Sequence, residues 1–148
     1  MAMYVDKVES ANPVRYTVSV GERRELYCTA IGKVLLAHLP RPRRDAYLRG
    51  SVLRRFTPNT LVSRSRLKQE MDSVLREGVS RTRSERVAGA SAMAVPIFGA
   101  DGDVVAGITL AGPSDRIEAR QDFLEAALRE AGQRATALLA GRPALPFP

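Results

Sequence analysis

Ser91-Ala-Met-Ala-Val-Pro-Ile-Phe98 and Val104-Val-Ala-Gly-Ile-Thr-Leu-Ala-Gly112, joined across Asp101-Gly102-Asp103, decide how this chain folds. Both runs have the length and composition of strands, and the Asp-Gly between them is hairpin-turn chemistry. Side chains on a strand alternate sides, so Ala90, Ala92 and Ala94 share one face, as do Gly107, Thr109 and Ala111. The bulky Met93, Val95, Ile97, Val104, Ile108 and Leu110 fall on the other. A face of small residues leaves room for one of two occupants, a closely packed helix or a small molecule.

Upstream of this hairpin, Val79 to Arg83 reads as a further strand. Before it, Ser63 to Glu77 places Leu67, Met71, Val74 and Leu75 at helical spacing, with Gly78 as the stop. Earlier still, Thr29 to Leu39 is an apolar helix with Thr29 as N-cap and Pro40 as terminator. A short helix is expected over Arg43 to Leu48, ended by Gly50, and Phe56 to Val62 is extended or looped. The chain opens with two expected strands, Met3 to Glu9 and Arg15 to Val20, turning at Asn12-Pro13. Downstream, one helix is expected from about Ile117 to Ala140, with Leu124, Leu128, Ala131, Ala135 and Leu138 along one stripe. The Pro-rich tail from Gly141 is expected to fray. No linker or repeat divides the sequence, so residues 1–148 read as one α+β domain.

At 148 residues and 45% hydrophobic content the chain can bury a core. Its apolar runs fall short of the roughly 20 residues of a membrane helix, and no charged leader precedes an apolar block. One cysteine cannot form an internal disulfide, which suits a reducing cytoplasm. A net charge of +7 raises the question of nucleic acid, but the arginines are scattered apart from Arg41, Arg43 and Arg44 and the looser Arg81, Arg83 and Arg86. Aromatic residues make up only 5%, with no pair on a basic strand on which bases could stack. Direct nucleic-acid readout by this segment is therefore not expected.

One histidine and one cysteine cannot assemble a zinc site of Cys and His ligands, and no metal, cofactor or catalytic residue is expected. His38 falls in the last turn of its helix, where it complements the negative end of the helix dipole. Cys28 precedes a helix N-terminus, which can lower a thiol pKa, yet it has no His partner nearby in sequence. It reads as a buried thiol, or as the nucleophile of a small enzyme. Binding chemistry is better represented. The amides of Thr29, Ala30 and Ile31 open a helix and form an anion receptor, while Thr82 or Thr109 can supply a hydroxyl beside the alanine face.

Several blocks in this order, Leu26-Tyr-Cys-Thr-Ala-Ile-Gly-Lys-Val-Leu-Leu-Ala37, Leu75-Arg-Glu-Gly-Val79, Glu85 with Gly89, Met93-Ala-Val-Pro-Ile-Phe98, Asp101-Gly-Asp-Val-Val-Ala106 and Gly112-Pro113 with Arg116, resemble the effector-binding domain of the IclR family of bacterial transcription regulators. The resemblance covers nearly the whole chain. It implies a GAF-like or profilin-like α+β fold, a curved antiparallel sheet flanked by helices, and assembly as a homodimer or homotetramer. It also implies a small organic or aromatic acid as effector, held by Ala30, Ile31, Thr82, Ala90, Ala92, Thr109 and Ala111, with Thr29 at the helix start and Tyr16 as a wall or lid. In the family a DNA-reading winged helix-turn-helix precedes this region, so DNA contact is expected only through that domain, which these residues do not include. This chain departs from its relatives at Tyr27, where a His is frequent, at Thr82-Arg83, where an acidic residue is frequent, and at Ala92, where a Cys is frequent. Loss of the acidic group and the room left by Ala92 favour a bulkier anion. The competing expectations are the Cys28 enzyme and a ligand-free dimerisation module whose small face is filled by a helix.

Overall fold

The computed structural model describes residues 1–141, and the expected fraying of the tail beyond Gly141 lies outside them. A short strand β1 (Ala2–Met3) pairs antiparallel with β2 (Arg23–Arg24). Helices α1 (Ala30–Ala37), α2 (Arg41–Gly50) and α3 (Arg64–Glu77) follow. Then come β3 (Ser80–Arg83), β4 (Ala90–Phe98) and β5 (Val104–Pro113), and finally α4 (Ser114–Glu118) and α5 (Gln121–Leu139). The main sheet is antiparallel in the order β3-β4-β5, so the class is α+β as expected. One face carries α1, with α3 packed against that helix, and the other carries α4 and α5.

The register sets small residues against small ones: Ala92 faces Ala111, Ala94 faces Thr109 and Pro96 faces Gly107. Met93 opposite Leu110 and Val95 opposite Ile108 form the other side, where they pack with Val79, Ile117, Leu124 and Leu128. Gly132 lets α5 approach this side, because a Cβ there would lie 2.7 Å from Val95 Cγ2. Between Ile97 and Phe98 the pairing slips by one residue, so Val104 stands opposite Phe98. The bulge therefore moves Val104 off the bulky face to which simple alternation assigns it.

Local chemistry starts and stops the helices where the sequence places these signals. Thr29 caps α1, its Oγ1 accepting from the Gly32 amide, and Ser63 caps α3 in the same way toward Arg66. Gly78 ends α3 at a φ of 69°, in the left-handed region that suits glycine. Val34 and Leu36 of α1, with Leu67, Met71 and Val74 of α3, build the core against Ala94. Each such buried aliphatic side chain contributes on the order of 1.5–3 kcal/mol.

Four expectations are corrected. The opening hairpin shrinks to two residues per strand: Val5, Val8, Val14 and Val20 are exposed and have no sheet face on which to bury, and residues 4–22 loop out before rejoining at Tyr4 and Glu22. The short second helix starts two residues earlier, at Arg41, and Gly50 is its last residue rather than its stop. The expected C-terminal helix is broken at Ala119–Arg120 into α4 and α5, with Arg120 at φ −131°. Leu75 and Leu138 lie exposed at the edges of their stripes, although spacing assigned both to the core.

Candidate functional site

Helix α1 meets the small face at one end only. Ile31 Cδ1 occupies the space that a Cβ on Gly107 would need, and a Cβ on Gly32 would run into the Leu26 backbone and Thr29 Oγ1, so two glycines set how closely this helix docks. Toward Ala92 and Ala111 the helix no longer covers the sheet. A cavity of about 40 Å³ remains there, space for about three water-sized particles.

The structure gathers the expected site residues around this cavity with one exception. Thr29 and Ala30 come from the tip of α1, Thr82 from β3, Ala90 and Ala92 from β4, and Thr109 and Ala111 from β5. Tyr16 closes one side from the 4–22 loop. Ile31 is not a wall residue, because its side chain is committed to Gly107. The amides at the helix tip divide in the same way. That of Gly32 is satisfied by Thr29 Oγ1, while those of Ala30 and Ile31 make no hydrogen bond among the described residues. Thr109 Oγ1 is likewise buried without a partner, whereas Thr82 Oγ1 reaches the Ala92 carbonyl only at 3.5 Å.

Sequence reasoning missed the charged part of the wall. The loop between β3 and β4 brings Glu85 and Arg86 to the cavity, with Ser84 at φ 52°. A turn at residues 57–60 clamps that loop: Thr57 Oγ1 donates to the Ser84 carbonyl at 2.5 Å and Thr60 Oγ1 to the Glu85 carbonyl at 2.7 Å. Glu85 accepts from Lys33 Nζ at 2.7 Å, and the same ammonium reaches Glu70 at 3.3 Å. Lys33 is 1% exposed, and it is the one charged residue within an apolar α1, a signal that could have marked it in the sequence. Burial raises the Glu85 carboxyl above the usual carboxylate range against the pull of Lys33. A half-buried acidic group thus stands at the cavity, which corrects the expectation that the site had lost one.

Three other residues singled out by sequence have structural roles. Tyr27 points away from the cavity, its hydroxyl donating to the Arg54 carbonyl at 2.6 Å and its ring stacking on Phe56. His38 donates from Nδ1 to the Val34 carbonyl at 2.9 Å and sets its ring edgewise to Phe98, closing α1. Cys28 does line the cavity, but burial pushes its thiol to about 12, with Glu25 adding to the effect. At neutral pH it is a thiol and not a nucleophilic thiolate. The looser arginine group is bound up in separate ion pairs: Arg81 with Glu77 and Glu125, Arg83 with Glu118, and Arg86 with Glu25. Among the described residues there is no cluster of His, Cys, Asp and Glu able to hold a metal, and no helix long and apolar enough to cross a membrane.

Comparison with known proteins places this architecture. Residues 1–137 match the family described as bacterial transcriptional regulator IclR, C-terminal. The regulator KdgR of Escherichia coli is 34% identical over 136 residues, 91% of this chain and 52% of its own length. The Thermotoga maritima IclR structure superposes with a TM-score of 0.77 at 30% identity, covering 90% of this chain and 56% of that one. A third match is a double mutant of the inducer-binding domain of PobR from Acinetobacter, solved with 3-hydroxybenzoic acid, at a TM-score of 0.75 and 25% identity over 81% of this chain and 70% of that one. The chain spans about half the length of the curated relatives it matches. By the extent of the profile match and by these relatives, it belongs to the IclR family of bacterial transcriptional regulators, as a C-terminal domain.

Proposed function

We propose that this domain senses a small organic acid in the cavity at the tip of α1 and passes its occupancy to a DNA-binding domain elsewhere in the regulator. The observation that carries the reading is the coincidence, in one hollow, of the unbonded Ala30 amide at a helix N-terminus and the partnerless Thr109 hydroxyl. Both are donors, and both cost free energy while they go unanswered in a buried site. A carboxylate answers both and also gains from the helix dipole. Alanines at 90, 92 and 111 supply the apolar wall that such sites use to exclude water.

Size refines the reading. As its walls stand, the cavity is smaller than a benzoate ring requires, so a compact acid enters directly and an aromatic acid only by displacing Tyr16 or Tyr4. Tyr16 belongs to the loop over residues 4–22, whose exposed valines bury little surface, so moving it is inexpensive. The PobR inducer domain was solved with an aromatic acid, which supports including that class. Occupancy acts on DNA binding only if the acid prefers one arrangement of the whole regulator over the other. Assembly as a homodimer or homotetramer belongs to the same proposal.

Thermal melting across a panel of aliphatic and aromatic acids tests it. An acid at about a hundredfold over its dissociation constant is expected to add about 2.7 kcal/mol of stability. No rise with any acid would refute the reading.

A further inference from the structure

Arg86 stands at the cavity in an arrangement that an ordinary surface arginine does not have. Its guanidinium carbon lies 3.8 Å from the centroid of the Phe56 ring, and Nε donates to Glu25 Oε2 at 2.9 Å. One face of the plane is thus stacked and one edge is tied. The two Nη groups form no hydrogen bond among the described residues, and they are not among the polar atoms sealed from the surface. Phe56 is itself fixed by stacking on Tyr27, and Glu25 lies just before the α1 cap, its carbonyl accepting from Thr29 Oγ1 at 2.7 Å. The fork is therefore held in place by the same residues that position the helix tip.

Lys33, a buried cation nearby, offers nothing comparable. Its ammonium is enclosed and shared between Glu85 and Glu70, and it is not part of the cavity wall. Glu85 does reach the wall, where Lys33 pairs its Oε1 at 2.7 Å while its Oε2 is enclosed without a hydrogen-bond partner, so Arg86 is the cation at the wall with donors still to give. Glu25 is held ionised: its own burial opposes this, and its backbone amide and Arg86 overcome that opposition. A guanidinium carries five donors in a planar fork and takes a carboxylate by two parallel N–H···O bonds, an edge that the Nη pair still offers when Nε is engaged.

From this geometry we propose that Arg86 is the residue that selects for a carboxylate in the effector, receiving it across Nη1 and Nη2 while Glu25 and Phe56 keep the fork aimed. The inference rests on the effector reading above, adding to the helix tip and Thr109 a charged partner from the β3–β4 loop. It makes charge, and not shape alone, the basis of ligand choice.

The test measures affinity by calorimetry for two matched pairs, glycolate with glycolamide and 3-hydroxybenzoate with 3-hydroxybenzamide, on the wild type, Arg86→Gln and Arg86→Lys. The wild type is expected to bind at least one acid well above its amide. Arg86→Gln is expected to weaken that acid about 10- to 100-fold and leave the amide unchanged. Arg86→Lys, which keeps the charge and loses the fork, is expected to fall between the two. Unliganded melting of each variant confirms folding, and the lysine variant decides the matter should the glutamine variant not fold. An acid that binds folded Arg86→Gln as well as wild type, or acid and amide weakened equally, overturns the inference while leaving the effector reading in place. If neither these acids nor any other of the melting panel binds the wild type, both fall.

Discussion

The two ends of the small-residue face had the same sequence signature and met different fates. At the Ala94 and Gly107 end, helix α1 lies directly on the sheet, with Ala94 fully buried and Ile31 wedged over Gly107. At the Ala92 and Ala111 end, the helix has run out and a hollow remains. Small residues therefore do two jobs on one surface: close packing at one end and vacancy at the other. Where the helix begins decides which, and Thr29 sets that point by capping the first turn.

The largest expected effect lies at the packed end. Gly107→Val places a side chain where Ile31 Cδ1 sits and against the Val95 carbonyl, and is expected to cost about 3 kcal/mol. Melting should fall by about 10 °C, and a variant that melts like wild type would show the packed end to be as loose as the open one.

Next is the thiol at the open end. With the Cys28 thiol pushed to about 12 by burial, modification by a thiol-specific reagent at pH 7.5, an assay condition set at about that value, is expected to run more than about a hundredfold slower in the folded protein than in urea. Because the folded value is raised, folded-state labelling should still climb at a pH where the unfolded thiol has reached its plateau. Fast labelling at neutral pH would instead mean that the hollow is wet and the thiolate accessible.

Ala92→Leu probes the hollow by filling it. Stability is expected to change by less than about 1 kcal/mol, since the added atoms enter empty space, while acid binding weakens by tenfold or more. A cost like that of Gly107→Val would erase the distinction between the ends. The smallest effect belongs to Thr109→Val: removing a buried hydroxyl without a partner is expected to leave stability unchanged or raise it by up to about 1 kcal/mol, and to weaken the acid several-fold. Clear destabilisation would mean that the hydroxyl is satisfied within the protein.

Most of the frame was legible because it is written in local chemistry. Thr29, Ser63 and Gly78 mark helix ends by the bonds and backbone angles they permit, and the alternation through Ala90 to Ile97 gave the faces of the central hairpin. What was not legible depends on partners distant in sequence. The valines of residues 4–22 alternate plausibly, yet no sheet face was available to receive them. The break at Ala119–Arg120 carries no proline or glycine, and on either side of it α4 and α5 each seat against the sheet. At the site the neutral wall was foreseeable from strand parity. Its charged members were not, since Glu85 and Arg86 reach it only through a loop clamped by Thr57 and Thr60 from 25 or more positions away.

The cluster of Lys33, Glu70 and Glu85 has an evolutionary corollary. An enclosed ammonium stripped of its counter-charges, or a buried carboxylate stripped of its ammonium, costs about 3–5 kcal/mol, a large part of what holds a domain of this size together. Descendants of this sequence can therefore replace the group together but hardly one member at a time. Positions 33 and 85 should covary as a unit across relatives, trading for an apolar pair when they change at all.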